Sequence, residues 1–248
     1  MAYVLGIDVG GSGIKGALVD LDQGVFASDR VRIPTPKHST PRACCDVIAQ
    51  IIDAFADQLG DEPIGITVPA PVVHGFVPRM ANLDKGWTDL PALEFFTQRL
   101  GRPIVLINDA DAAGLAEVYY GAAKGQPGVV IVETLGTGIG SAIIHNGVLL
   151  PNTELGHLEL DCHDAESRAS AGAREREQLG YKEWAKRLDR YFGFVEMLFS
   201  PDLFVVGGGV SKNHEKFLPL LHLRTPIVPA QLRNQAGIVG AAWAAKHL

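Results

Sequence analysis

Asn108 and Asp109 stand where an apolar run, residues 104–107, gives way to helix formers at 112–117, in the stretch IVLINDADAAGLAE. Such a change of residue type marks a strand-to-helix turn, and in open α/β sheets that edge is where ligands bind. A carboxylate held there beside an amide has the chemistry to take a proton from a substrate hydroxyl as its oxygen attacks a phosphoryl group. An Asn-Asp pair also caps helices that carry no chemistry, so its meaning depends on its surroundings.

Three glycine turns supply those surroundings. Residues 3–7 form a short apolar strand ending at Asp8, and Val9-Gly10-Gly11-Ser12-Gly13 then turns into a second strand at 14–19. A Walker loop or a dinucleotide fingerprint would open a helix here, so neither fits. Glycines at a hairpin turn let backbone N–H groups approach and cradle phosphate oxygens. Asp8 is then placed to hold Mg²⁺ through water, and Lys15 or the Ser12 hydroxyl to reach the transferred phosphate. The competing reading is a hairpin rich in glycine for conformational reasons alone. Residues 129–144 repeat the pattern, with Gly136, Thr137 and Gly138 at the turn. The repetition suggests a duplicated fold whose lobes clamp a phosphate chain from both sides, with Thr137 adding a hydroxyl. A third turn, Gly207-Gly208-Gly209, follows a strand at 202–206 and enters a short helix, leaving room for a flat group such as adenine and its ribose.

Polar residues suited to a sugar lie in two further stretches. Residues 72–87, VVHGFVPRMANLDKGW, form a long loop in which Asn82 and Asp84 can pair with hydroxyls. Residues 149–166 concentrate Glu154, His157, Glu159, Asp161, His163, Asp164 and Glu166. With one cysteine, Cys162, and no HExxH or paired-cysteine spacing, this is not a structural zinc site. Hydrogen bonding to sugar hydroxyls is the preferred reading, with Asp161 and Asp164 as solvated charges. From Arg168 to Arg190 cations slightly outnumber acids, a pattern that is usually a solvated helical surface and is the weak candidate for meeting a polyanion. Trp184, Leu188, Tyr191, Val195 and Leu198 give that segment its buried stripe.

The elements that must position these groups are legible from pattern. A third meander strand spans 24–33, and Thr40-Pro41 starts a helix whose Val47, Ile51, Phe55 and Leu59 face a core, with Gly60 as its stop. Cys44 and Cys45 in its first turn read as packed thiols. A helix over 90–100 ends at Gly101, and a last helix spans 235–248. The linker-like GAAKGQPG at 121–128 divides an N-terminal lobe, 1–122, from a C-terminal lobe, 123–248, whose last helix can pack back on the first.

Composition narrows the function classes. A net charge of −6 over 248 residues with 47% apolar content argues against a general nucleic-acid binder. Three cysteines make no disulfide framework, and MAYVLGIDVGG reads as neither a signal peptide nor a membrane span. The expectation is a soluble cytoplasmic protein without nucleic-acid or membrane partners.

Together, DVGGSGIKGALVD, INDADAAGLAE, ETLGTGIGSA, ELGH and VVGGGVS resemble the sugar kinases of the ROK group (repressor, open reading frame, kinase) over nearly the full length. The resemblance implies an α/β protein of the actin-like ATPase (ribonuclease H-like) fold, two lobes with a cleft between them. It implies Asp109 as general base toward the sugar 6-hydroxyl, and Asn108, Glu154 and His157 as partners of other hydroxyls. Glu166 matches the glutamate that follows the family's zinc cysteines. Most of the family has a cysteine-rich zinc loop after ELGH, whereas this chain reads LELDCHDAE. In that, and in PNTELGHLELDCHDAE and SPDLFVVGGGVSKN, it is similar to bacterial polyphosphate glucokinases, which phosphorylate glucose from inorganic polyphosphate and often from ATP. Mg²⁺ and a homodimer are implied with it. No helix-turn-helix precedes the first strand, which speaks against a repressor. The alternatives are a strictly ATP-dependent glucokinase, a kinase for mannose or an N-acetyl sugar, and a non-catalytic sugar-sensing regulator.

Overall fold

The computed structural model describes residues 3–248 and divides into two compact units. One comprises the chain up to Ala116 together with Gln235–Leu248, the other Glu117–Asn234.

The first unit is built on one sheet. Tyr3–Gly10 (β1) and Gly13–Asp20 (β2) form the antiparallel hairpin read from sequence, in a register that sets Gly10 opposite Gly13 and Asp8 opposite Lys15. Where one third strand was expected over 24–33, there are two short pieces, Val25–Phe26 (β3) and Val31–Ile33 (β4), both antiparallel to β2. The break falls where the Leu18 N–H turns to the Ser28 hydroxyl (3.0 Å), so a side chain replaces the backbone partner that would have continued the ladder. Ile64–Val68 (β5) and Ile104–Asn108 (β6) extend the sheet in parallel, giving the order β3-β2-β1-β5-β6.

Strand residues alternate between two faces. Leu5, Ile7, Ile64 and Ile66 join one core with Cys44, Val47, Ile48 and Ile51 of the helix Pro41–Asp53 (α1), which Thr40 caps by accepting from the Ala43 N–H. That helix ends at Asp53, earlier than the Gly60 stop expected. A 3₁₀ turn at Ala56–Gln58 follows, and Phe55 and Leu59 still reach the core. The helix Ala92–Leu100 (α2) joins the same core through Phe96, and Gly101 closes it in the left-handed region. On the opposite face runs the C-terminal helix Ala236–His247. A Cβ on Gly6 or Gly65 would lie about 2 Å from the carbonyl oxygens of Ile238 and Ala241, so both positions demand glycine for the helix to sit this close. Asp8 and Thr67 share that face, and Asp109–Tyr120 (α3) leaves the end of β6.

The second unit repeats the topology. Val129–Leu135 (β7), Ile139–His145 (β8) and Val148–Leu150 (β9) form an antiparallel meander. A two-residue hairpin, Glu159–Leu160 (β10) with His163–Asp164 (β11), stands apart from it. Leu203–Gly207 (β12) and Ile227–Pro229 (β13) then add in parallel beside β7. The order β13-β12-β7-β8-β9 follows that of the first unit, a meander and then two parallel strands, with a single β9 where the first unit has the two pieces β3 and β4. Between them lie Glu166–Ala169 (α4), Ala171–Arg176 (α5) and Tyr181–Phe199 (α6). Trp184, Leu188, Tyr191 and Val195 of α6 are buried as expected, but Leu198 is 49% exposed and closes no core.

Candidate active site

At the end of β6, Asn108 is buried, and its side-chain oxygen accepts from the N–H groups of Ala110 (2.8 Å) and Asp111 (3.0 Å). It is therefore the cap of α3. Capping commits the oxygen and leaves the amide N–H groups as the donors it can turn toward a ligand. Asp109 is half-buried at the first residue of α3, with one carboxylate oxygen on the Ala110 N–H (2.9 Å). That hydrogen bond holds the carboxylate in a fixed direction at a helix N-terminus, where negative charge is favoured.

Asp8 accepts from the Thr67 hydroxyl (2.9 Å) and from the Lys15 ammonium (3.2 Å), the latter directly across the hairpin. Lys15, expected to reach the transferred phosphate, here pairs with Asp8 and stands at the same turn. Each carboxylate oxygen keeps a second lone pair, so this carboxylate fits Mg²⁺ held through water. In the adjoining turn the guanidinium of Arg32 donates to the Ser12 carbonyl (3.0 Å) and lies where a Gly13 side chain would go. Arg32 sits 20 residues away in sequence and no local pattern pointed to it.

The glycines of both phosphate turns separate the two readings left open by sequence. Gly10, Gly11, Gly13, Gly136 and Gly138 all lack the positive φ that would require glycine. A Cβ on Gly136 would meet no atom within 4 Å, and one on Gly11 only the Asn82 carbonyl at 3.7 Å. Neither backbone conformation nor packing calls for glycine at these two positions, which leaves backbone accessible to something outside the chain. Asn82 is exposed beside this first turn. Asp84, expected as a sugar partner, instead caps the turn Lys85–Trp87 through the Gly86 N–H (2.8 Å), and Trp87 is fully buried against Phe96.

In the second unit the Gly136-Thr137-Gly138 turn is braced from two sides. Glu166 accepts from the Ile139 N–H (2.9 Å) and fills the space a Gly138 side chain would need, and Gly172 donates to the Gly136 carbonyl (2.9 Å). His157 sits between two carboxylates: its Nδ1 is 2.8 Å from Asp164 and its Nε2 is 3.6 Å from Glu154. The expectation that Asp164 is a free surface charge is corrected; a carboxylate on Nδ1 fixes the imidazole tautomer and ring plane. His157, Asp164 and Glu166 place ligand atoms within 4.8 Å of one another. Cys162 is exposed and outside the group. Asp161 is also paired, by both guanidinium nitrogens of Arg190 (3.1 and 2.7 Å).

One strand residue before this turn carries a feature that sequence did not single out. Glu133 in β7 is fully buried; Tyr191 donates to one oxygen (3.1 Å) and the other is buried without a partner. Burial pushes its carboxyl well above the usual range. Cys44 and Cys45 are likewise held as packed thiols, burial pushing both up to about 11.

The third glycine turn does require glycine. Gly208 has φ 82° and presses on the Leu135 backbone at the foot of the second phosphate turn, where a Cβ would clash. Ser211 donates back to the Gly208 carbonyl (2.8 Å). Beside it opens a cavity of about 320 Å³ lined by Ser211, His214, Pro229, Gln231 and Arg233 among others. Glu117 fixes one wall by accepting from the Gln231 and Leu232 N–H groups.

Other proteins are similar to this chain in sequence and fold. The sequence is 50% identical to polyphosphate glucokinase of Mycobacterium tuberculosis over 96% of this chain and 89% of that one. It is 27% identical to the glucokinase of Streptomyces coelicolor, over 100% and 98% of the two chains. Among solved structures, the inorganic polyphosphate/ATP-glucomannokinase of Arthrobacter sp. strain KM superposes with a TM-score of 0.95 at 52% identity, covering 99% of each chain. A ROK family glucokinase from Streptomyces griseus, solved with glucose and AMPPNP, follows at 0.82 and 25%, over 99% of this chain and 100% of that one. With a match to the family over residues 4–177, and with relatives of this identity and coverage, this chain belongs to the ROK family and has its actin-like ATPase fold.

Proposed function

We propose that this chain is a polyphosphate glucokinase, transferring the terminal phosphoryl group of inorganic polyphosphate, and of ATP, to the 6-hydroxyl of glucose. The observation that carries the reading is 50% identity along 96% of the chain to a polyphosphate glucokinase. Asp109 takes the proton of the 6-hydroxyl as its oxygen attacks, and the Asn108 cap holds that carboxylate in line. The Asn108 amide, Asn82, Glu154, His157 and Glu166 hold the remaining hydroxyls, His157 in the tautomer set by Asp164. Backbone N–H groups of the turn at Gly10, Gly11, Ser12 and Gly13 and those of Thr137 and Gly138 receive phosphate oxygens, while the Gly136 N–H closes its own turn on the Gly138 carbonyl (3.0 Å), and positioning supplies most of the rate. Asp8 would hold Mg²⁺ through water, and the ion would supply neutralisation of charge on the transferred group. Lys15 keeps Asp8 oriented between turnovers.

The cleft near Gly207, Gly208 and Gly209, half-open and lined by Ser211, His214 and Arg233, supports ATP as a second donor, because it offers a nucleoside polar and apolar walls that polyphosphate does not need. Mannose remains an alternative acceptor, motivated by the glucomannokinase likeness. A homodimer and a cytoplasmic location belong to the same reading; no helix among the described residues is long and apolar enough to cross a membrane. Assaying the purified chain with glucose and Mg²⁺, giving polyphosphate and ATP in separate reactions, tests it. Glucose 6-phosphate from polyphosphate is expected; product from ATP alone would leave an ATP-dependent glucokinase, and none from either would defeat the kinase reading.

A further inference from the structure

A second cavity, about 360 Å³, lies between α4 and α6, and its chemistry differs from that of the sites above. Four cations line it, Arg168 from α4 and Lys186, Arg187 and Arg190 from α6, against a single carboxylate, Asp161. This concentration occurs on a chain whose net charge is −6. Charge is segregated here, whereas an ordinary solvated helix interleaves acids with its cations. The acids of α6 are engaged elsewhere: Glu183 accepts from the Gly180 N–H at the helix start, Asp189 from the His222 N–H, and Glu196 from the Thr225 N–H.

Two of the four cations are ion-paired, Arg190 with Asp161 and Arg187 with Glu177, while Arg168 and Lys186 enter no ion pair among the described residues. Arg168 sets its guanidinium on His163 Nε2 (2.7 Å), an uncharged partner when the imidazole is neutral. Arg187 is fixed by Glu177 (2.6 Å) and by the Arg168 carbonyl (3.1 Å), so the group is held before any ligand arrives. Guanidinium groups fixed in this way suit phosphate oxygens.

The position of the cavity decides which phosphate. Segment 166–172 separates it from the second phosphate turn: Glu166 and Gly172 hold that turn on one side, and Arg168 faces the cavity on the other. A nucleoside triphosphate ends after three phosphates, whereas a chain of many can leave the turn and continue over this segment. We infer that the Arg168, Lys186, Arg187 and Arg190 cavity holds the distal part of long-chain inorganic polyphosphate, and that it makes the chain's preference for donors depend on their length. This rests on the polyphosphate reading above.

The test uses the full chain and the double variant Arg168→Gln/Lys186→Gln, with Lys186→Glu as a second variant. Neither exposed side chain has a carboxylate partner in the fold, so unchanged thermal unfolding confirms the comparison. Equilibrium binding of long-chain polyphosphate, and its KM as donor, should weaken about tenfold or more, while KM for tripolyphosphate, ATP and glucose stays within about twofold. Raising salt should weaken long-chain binding more steeply in the unaltered chain than in the double variant. Equal losses for tripolyphosphate and long chains, or unchanged long-chain binding, would overturn the inference. Absence of turnover from polyphosphate in the unaltered chain would defeat the donor assignment instead, and direct binding would still decide the cavity.

Discussion

Asn108 has its side-chain oxygen tied to the Ala110 and Asp111 N–H groups, and one oxygen of Asp109 shares the Ala110 N–H, so neither side chain swings freely. The cap reading and the catalytic reading, posed as rivals from sequence, are compatible: the cap is present, and under the proposed function it is what aims the acid. Gly136 offers a sharper check, because its conformation and its surroundings both accept a methyl group. Gly136→Ala should leave thermal stability within about 0.5 kcal/mol of the original, or raise it slightly. It should nevertheless raise the donor KM severalfold with the glucose KM unchanged, measured in steady state with each substrate varied. Asp164 belongs at this scale too. Without its carboxylate, His157 loses the partner that sets its tautomer, and Asp164→Asn should raise the glucose KM about tenfold while kcat changes less. Equal changes in both constants would move Asp164 out of this role.

At the scale of elements, β7 carries a liability one turn before its phosphate loop. The Glu133 carboxyl is protonated in the folded chain over a range where an exposed glutamate is ionised, so the native state binds more protons than the unfolded one. Its contribution to stability is therefore greatest in acid, below about pH 4.3, and falls as pH rises. Glu133→Gln removes the titration and keeps the hydrogen bond from Tyr191. The variant should be more stable than the original by roughly 1–3 kcal/mol at pH 8, with the gain shrinking toward pH 4, read by thermal unfolding across that range. A gain independent of pH would show that burial of the ionised form is not its origin. What was legible in sequence at this scale was the strand-to-helix turn at Asn108 and Asp109, where an apolar run meets polar residues, because that signal is local; β1, expected to end at Asp8, runs on to Gly10 with Asp8 opposite Lys15. Illegible were partnerships across the fold. Arg32 on Ser12 and Tyr191 on Glu133 join residues 20 and 58 apart. The break of the third strand came from one hydroxyl, that of Ser28, competing with backbone.

Across the whole molecule the two sheets share one strand order, and each puts its glycine turn between the first and second strands of the meander. The repeated turn was the sequence signal of this duplication. The return of the last helix to the first unit was less plain, since a run of Gly and Ala fixes close packing without naming the partner. That partner is set by Gly6 and Gly65, the two positions in the first sheet where helix backbone fits against strand. Such a duplicated scaffold hosts many activities, so chemistry must be argued from its side chains. The most direct measurement is ³¹P NMR of glucose incubated with Mg²⁺ and long-chain polyphosphate, run in parallel on the unaltered chain and on Asp109→Asn. The account predicts a resonance of phosphate on the glucose 6-oxygen that grows as polyphosphate is consumed, slowed about a thousandfold in the variant, with glucose affinity within a few fold. Phosphate on another oxygen, or a variant that turns over at near the original rate, would contradict it.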